Sequence, residues 1–301
     1  MNSVTKNAPP YLRTHRHSDS IMGDVCIALT PPAIAAVWFF GWQALWMLLT
    51  AVSAAFLTDR LSARLHGTTH PFDGAAVVTG IILALSCPAG TPLWLLAVMS
   101  AVAVGLFRDA FGGIGYNLFN PAMAARAVLL TVFPAYLSGY ALPDTVSSAT
   151  PLTGGTADWL PLLFGRINGS IGETSAALIL LGGGYLLIRR VIRWQIPVLS
   201  VAAFALVMAV NNENVLQQVL SGSLLFGAVY IFTDYTSSPT TPIGEALFAV
   251  GAGATTAALR LWGRYPEGVC FAVLIMNLLT PLLDRITHPR VYGTKRKERS
   301  A

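Results

Sequence analysis

The sequence has little charge. Only 11% of its 301 residues are charged, whereas 54% are hydrophobic; a soluble domain carries about 25% charged residues. The apolar residues form blocks of roughly 20, the length that an α-helix needs to cross about 30 Å of hydrocarbon. Blocks such as Trp42–Leu57 lack the alternation of a membrane β-barrel strand. The composition therefore excludes a pair of soluble domains and predicts an all-α integral membrane protein.

Cysteine is also scarce. The three cysteines, Cys26, Cys87 and Cys270, are far apart in the chain, and no C-x-x-C pair exists. This spacing argues against a zinc site or a self-contained iron–sulfur cluster, and no metal site is predicted. Two interpretations stay open for each thiol: a buried, inert side chain, or one ligand of a cluster shared with another subunit. The sequence also lacks a Rossmann fingerprint for a nicotinamide cofactor.

The apolar blocks predict about ten transmembrane helices. Their expected spans are 21–40, 42–62, 74–87, 92–111, 118–137, 173–190, 194–211, 219–233, 243–262 and 268–284. The third and eighth are short and rich in Gly, Ser, Thr and Pro, so we expect interrupted helices at 74–87 and 219–233. The expected regions are an N-terminal tail (1–20), a first five-helix repeat (21–137), a loop (138–172), a second five-helix repeat (173–284) and a basic tail (285–301).

The basic residues predict the orientation. Most of the 19 bases lie in the two tails and in the loops after even-numbered spans, and the positive-inside rule places these segments in the cytoplasm. Residues 1–20 are then a cytoplasmic tail and not a cleavable signal peptide. The loop 138–172 faces away from the cytoplasm. Arg166, Arg260 and Arg264 fall on the outer side and depart from the rule.

A weak internal repeat agrees with two sets of five spans. Gly23–Asp24 reappears as Gly172–Glu173, and Trp42–Gln43 as Trp194–Gln195, both at an offset of about 150 residues. A repeat of five spans must have inverted topology in its second copy. The two interrupted helices then occupy matching positions near the midplane, where many transporters build their central site.

The outer loop contains a turn rich in hydroxyl groups, Asp144–Leu152. Ser and Thr before Pro favour an extended or turning backbone. An ordinary solvated loop and a hydroxyl esterified by a phosphate-bearing group both fit this composition. Spacing alone does not choose between them.

The same stretch, Asp-x-x-Ser-x-Ala-Thr-Pro-Leu, resembles the flavinylation motif of the D subunit of Rnf electron-transport complexes. It is also similar to the related B subunit of the sodium-pumping NADH:quinone oxidoreductase. In that family the last Thr carries FMN through a phosphoester bond, which maps to Thr150. The family usually has Gly where this chain has Ser148, so the resemblance implies a flavin transferase that accepts a bulkier turn.

The resemblance extends over nearly the whole chain and is closer to the Rnf relative than to the quinone reductase. The segments that carry it are Asp73–Gly80, Phe111–Met123, Gly169–Ser175, Tyr265–Val269 and Pro281–Asp284. It implies a membrane flavoprotein subunit of an ion-translocating complex that passes electrons between ferredoxin and NAD partners and moves Na⁺ or H⁺. Such a subunit is not catalytic alone. The resemblance also implies a location in the bacterial cytoplasmic membrane, with both termini in the cytoplasm. The implied partners are other Rnf subunits, and no nucleic acid is expected to bind.

Four further residues are candidates for the vicinity of a flavin. Asn117 and Asn120 offer amide groups that suit the uracil-like edge of a flavin, and members of the resembled family are similar to proteins that hold riboflavin noncovalently. Helix capping and interhelical bonding are the simpler explanation of these two residues, and a role beside a second flavin is the alternative. Arg126 needs a partner inside span 5, either a carboxylate or a phosphate or flavin, and Asp234 follows the interrupted eighth span. The alternative function is a channel or transporter without a redox role.

Overall fold

The computed structural model describes residues 18–65, 74–113, 115–137, 159–165, 169–263 and 268–288. Across these segments the chain is helical and contains no β-strand. The helices are α1 (Ser18–Phe40), α2 (Trp42–Leu65), α3 (Ala75–Leu85), α4 (Leu93–Gly105), α5 (Pro121–Val132), α6 (Trp159–Phe164), α7 (Ala176–Ile188), α8 (Gln195–Val210), α9 (Val215–Leu220), α10 (Leu224–Phe226), α11 (Pro242–Trp262) and α12 (Val269–Thr287). Two short 3-10 helices follow α4 and α5, and α10 continues as a π-helix, Gly227–Ile231.

Each of the ten predicted segments overlaps a helix. Five helical segments are long and apolar enough to cross a membrane: Ser18–Phe40, Trp42–Leu65, Leu93–Phe111, Pro242–Trp262 and Val269–Thr287. Four more apolar helices have 10–17 residues: Ala75–Leu85, Pro121–Val132, Ala176–Ile188 and Gln195–Val210. The described part of the chain is therefore all-α, and its apolar helices indicate a multi-pass membrane protein. A total of ten crossings stays a prediction, and the short helices α6 and α9 were not predicted.

The third and eighth segments are short, as the sequence predicts. Helix α3 has 11 residues, about 16 Å at 1.5 Å per residue, which is roughly half of the hydrocarbon thickness. Beyond its end, the backbone N–H groups of Ile171 and Gly172 donate to the carbonyls of Cys87 (3.1 Å) and Leu85 (2.8 Å). A turn from the second half of the chain thus satisfies carbonyls that the ended helix cannot.

Small residues allow the helices to pack closely. A Cβ at Gly80 of α3 would lie 2.9 Å from the Ala51 carbonyl oxygen of α2, and one at Gly253 of α11 only 2.1 Å from that of Ser200 in α8. Such contacts are typical of membrane helices, which associate by close packing and not by exclusion of water. Helix α2 packs on α3 and α4, α8 packs on α11, and α1–α7 and α5–α12 join the two halves. The inverted repeat itself stays a prediction.

Arg260, which departs from the positive-inside pattern, has a structural role. Its guanidinium donates to the carbonyl oxygens of Gln218 (2.6 Å) and Ser221 (3.2 Å) at the end of α9. The Cζ atom also lies 4.9 Å from the centroid of the Phe204 ring. The cation therefore caps a short helix and packs on an aromatic face. These contacts explain why Arg260 departs from the positive-inside rule, which concerns basic residues in loops.

Candidate functional site

A cleft opens where the broken elements meet the helix ends. Its empty space is about 740 Å³ when the open solvent at its mouth is counted. Its apolar wall comes from α1, α3 and the end of α7. Its polar lining residues are Thr79, Arg108, Asn117, Asn120, Tyr230, Thr233, Asp234, Tyr235 and Thr236. Both halves of the chain therefore build one site.

Asn120 and Asp234 meet in this cleft. The Asn120 side chain accepts from the Met123 backbone N–H at 3.2 Å and so caps α5, while its Nδ2 donates to an Asp234 carboxylate oxygen at 2.9 Å. Asp234 also accepts from the Thr236 backbone and hydroxyl and from the Ser237 hydroxyl, at 2.8–3.2 Å. The capping interpretation of Asn120 is correct, and the same amide forms part of the cleft wall.

Asn117 lies beside this pair. Its Nδ2 donates to the Phe119 carbonyl at 3.1 Å and to the Thr236 hydroxyl at 3.2 Å. Three of the four residues predicted near a flavin thus share one hydrogen-bonded cluster, although none of these bonds could be seen in the sequence. The amide nitrogens of both asparagines are already bonded within the protein.

Asn277 supports the cluster from behind and was not predicted as a site residue. It is fully buried on α12. In the amide orientation that satisfies both polar atoms, its oxygen accepts from the Asn120 backbone N–H at 3.0 Å, and its nitrogen donates to the Ser237 carbonyl at 3.2 Å. One side chain thereby joins the start of α5 to the segment that follows the π-helix. An amide in the middle of an apolar helix is the sequence signal that could have identified it.

Arg108 lines the cleft and was also not selected by sequence reasoning. It is 4% exposed. Its Nε donates to Asp109 at 2.8 Å, and its Nη2 bonds to Asp59. Its Nη1 is buried without a hydrogen-bond partner among the residues that the structure describes. Arg108 and Asp109 form an ion pair, but this pair does not use the whole guanidinium.

Arg126 lies apart from the cleft lining. It is fully buried on α5, with Nη1 3.8 Å from a carboxylate oxygen of Glu173 and Nη2 3.4 Å from the Ser170 hydroxyl. A carboxylate from the turn before α7 is therefore its partner, one of the two options that the sequence left open. The structure does not bring Arg126 together with Asn117, Asn120 and Asp234.

Near the apolar wall, charged groups join α1 to the end of α7. Asp24 accepts from the Tyr185 hydroxyl at 2.9 Å and from Arg189 at 3.2 Å. Arg193 pairs with Glu245 of α11 at 3.1 Å. The loop between these two arginines contributes Val191 and Ile192 to the cleft.

Thr150 and its motif lie outside the described residues, as do Ile114 and residues 264–267. Thr150 as the FMN-bearing residue therefore stays a prediction. Within the described segments, no group of three or more His, Cys, Asp or Glu side chains is placed to hold a metal ion.

Comparison with known proteins identifies the family of this chain. Residues 5–293 match the NQR2, RnfD, RnfE family. The chain is 36% identical to the D subunit of the Na(+)-translocating ferredoxin:NAD(+) oxidoreductase complex of Acetobacterium woodii, over 99% of this chain and 98% of the relative. It is 35% identical to the D subunit of the proton-translocating ferredoxin:NAD(+) oxidoreductase complex of Clostridium ljungdahlii, over 98% of each. It is 37% identical to the D subunit of the ion-translocating oxidoreductase complex of Stutzerimonas stutzeri, over 91% and 92%. The chain therefore belongs to the NQR2, RnfD, RnfE family.

Proposed function

We propose that this chain is the membrane-embedded D subunit of an ion-translocating complex that passes electrons between ferredoxin and NAD. The observation that carries the proposal is similarity at 35–36% identity over 98–99% of the chain to two relatives whose names state this activity. Because one relative is named for Na⁺ and the other for protons, the proposal includes either ion.

The electron carrier that we propose is FMN, joined through its phosphate to Thr150. The motif Asp144–Leu152 supports this assignment, and so does membership of the family. A flavin supplies the redox chemistry when bound, while the protein sets its position and electrostatic surroundings. A dedicated flavin transferase is the implied maturation partner. With both termini in the cytoplasm, Thr150 faces the outer side.

The cleft is the proposed place for a second, noncovalent flavin such as riboflavin. Apolar side chains from α1, α3 and α7 suit the faces of an isoalloxazine ring, and the cluster of Asn117, Asn120, Asp234 and Thr236 suits its polar edge. Nδ2 of both asparagines is already bonded within the protein. These amides therefore shape the wall of the cleft and are not free donors for a ligand. Arg108 also lines the cleft, and its buried Nη1 has no hydrogen-bond partner among the described residues, so we propose it as the donor to the flavin.

The nicotinamide and iron–sulfur sites belong to partner subunits in this proposal. The sequence has no Rossmann fingerprint and only three separated cysteines. Of these, Cys87 is buried and the Cys270 thiol donates to the Met123 carbonyl at 3.1 Å. This subunit would therefore take electrons from one partner and give them to another within the complex.

In-gel flavin fluorescence tests the proposal. The chain is co-expressed with its flavin transferase, denatured and separated, so that only covalent flavin remains. We expect a fluorescent band that is lost in Thr150→Ala and kept in the matched control Thr153→Ala, which alters a hydroxyl of the same loop outside the motif. A dark wild-type band refutes covalent FMN and favours the channel or transporter alternative. A band that survives Thr150→Ala but not Thr153→Ala shows that the flavin is on the other hydroxyl.

A further inference from the structure

Arg108 is held rigidly at the edge of the cleft. It follows α4, is 4% exposed, and is bonded through Nε to Asp109 and through Nη2 to Asp59 of α2. Neither carboxylate lines the cleft, whereas Arg108 does. Nε and Nη2 form one edge of the planar guanidinium, so Nη1 lies at the corner away from that edge. The two acids thus fix the group without using the third nitrogen.

That third nitrogen lacks a hydrogen-bond partner in the part of the chain that the structure describes. A buried charged donor without an acceptor is costly, and such groups in native proteins call for an explanation. The other residues that line the cleft provide no acceptor for this nitrogen. Asp234, the carboxylate of the cleft, accepts from Asn120, Thr236 and Ser237 instead.

We propose that Nη1 of Arg108 donates to the N1–C2=O edge of the flavin in the cleft and makes the site favour the reduced flavin. This inference rests on the cleft flavin of the proposed function. Reduction by two electrons with uptake of one proton leaves negative charge on the N1–C2=O edge of a flavin. A fixed cation there binds the reduced form more tightly than the oxidised form. Arg108 is then a potential-setting residue of the subunit.

The test measures noncovalent flavin alone. In a Thr150→Ala background, which removes the proposed covalent FMN, the full-length protein is purified within its complex. Noncovalent flavin is released by acid and quantified, and its midpoint potential is measured by reductive titration. The variant is Arg108→Gln combined with Asp59→Asn, so that no carboxylate of α2 loses its cation. The control is Arg60→Gln, because Arg60 lies over the Phe56 ring, 3.9 Å from Asp59, and does not line the cleft.

We expect the Arg108 variant to bind reduced flavin about tenfold more weakly relative to oxidised flavin, while Arg60→Gln leaves this ratio unchanged. A tenfold change lowers a two-electron potential by about 30 mV. Arg108→Lys provides a second variant that keeps the charge for both acids. Its single nitrogen cannot replace the fork, so it should also weaken the preference for reduced flavin.

Three outcomes decide the matter. A lowered potential in both Arg108 variants, with Arg60→Gln like wild type, supports the inference. An unchanged flavin content and potential in Arg108→Lys and in the double variant overturn it but leave the cleft flavin standing. A parent protein without noncovalent flavin overturns the cleft flavin and this inference together, whereas covalent FMN is tested separately by the gel.

Discussion

Replacing Gly182 of α7 by Ala should destabilise the protein, because this glycine lies where three segments touch. A Cβ at Gly182 would lie 2.0 Å from the Tyr230 hydroxyl and 2.2 Å from the Ala28 carbonyl oxygen. Tyr230 donates to that same carbonyl at 2.8 Å and lines the cleft from the π-helix. The added methyl group must therefore push α7 away from α1 and the π-helix by about 1 Å to reach ordinary contact distances.

The magnitude follows from three contributions. Overpacking of a tight contact costs about 1–3 kcal/mol, and losing the Tyr230 bond costs about 1 kcal/mol. Alanine regains up to about 1 kcal/mol through its better helix propensity. The net expectation is a loss of about 2 kcal/mol. Tyr230→Phe alone should lose about 1 kcal/mol, and in that background Gly182→Ala should cost less but not nothing, because the Ala28 oxygen still lies 2.2 Å from the new Cβ.

The assay is unfolding of the purified protein in mixed micelles by titration with a denaturing detergent, followed by tryptophan fluorescence. Gly184→Ala is the matched control, since it lies on the same helix and a Cβ there meets nothing within 4 Å. Its midpoint should equal or exceed that of wild type. If both alanine variants unfold at the same detergent concentration, α7 does not approach α1 and the π-helix as closely as described.

Two further substitutions separate buried charge from capping. Glu173→Gln should lower the free energy of unfolding by about 3–5 kcal/mol, because it removes the carboxylate that faces the fully buried Arg126. We expect a large loss of monodisperse protein in size-exclusion chromatography. A normal yield of this variant would contradict the prediction. Asn120→Ala should cost about 1 kcal/mol for the lost cap of α5 and also removes a donor from Asp234. Asn120→Ser should recover the capping part in the same unfolding assay, and equal midpoints for the two variants would argue against the cap.

The helices were predictable because the property that defines them is local. A block of about 20 apolar residues determines a helix wherever it occurs, and α1, α2 and α11 begin and end within about three residues of the predicted spans. The eighth segment was predicted as interrupted, but not as α10 followed by a π-helix. That detail depends on packing against α8 and α7, which periodicity does not report.

The cleft could not be derived from the sequence, because the bonds that form it are long-range. Asn120 and Asp234 are 114 residues apart, and Asn117 and Thr236 are 119 apart. The sequence marked three of these residues singly, through their chemistry and family motifs. It could not show that they share one wall, nor that both amide nitrogens are already bonded. Asn277 escaped notice because its role is to bond the backbone of Asn120 and Ser237.

The two arginines of the first half show what sequence proximity does not reveal. Arg126 stands among apolar residues, so the sequence predicts a carboxylate, a phosphate or a flavin as its partner, whereas Arg108 has an adjacent acid, Asp109, and attracts no such hypothesis. In the structure Arg126 faces Glu173 from a distant turn, and Arg108 keeps one buried nitrogen unused although it has two acids, Asp59 and Asp109. A guanidinium has five N–H groups on three nitrogens, so a neighbouring carboxylate neutralises the charge without satisfying the donors. Counting donors against acceptors, and not counting charges, is what directs attention to Arg108.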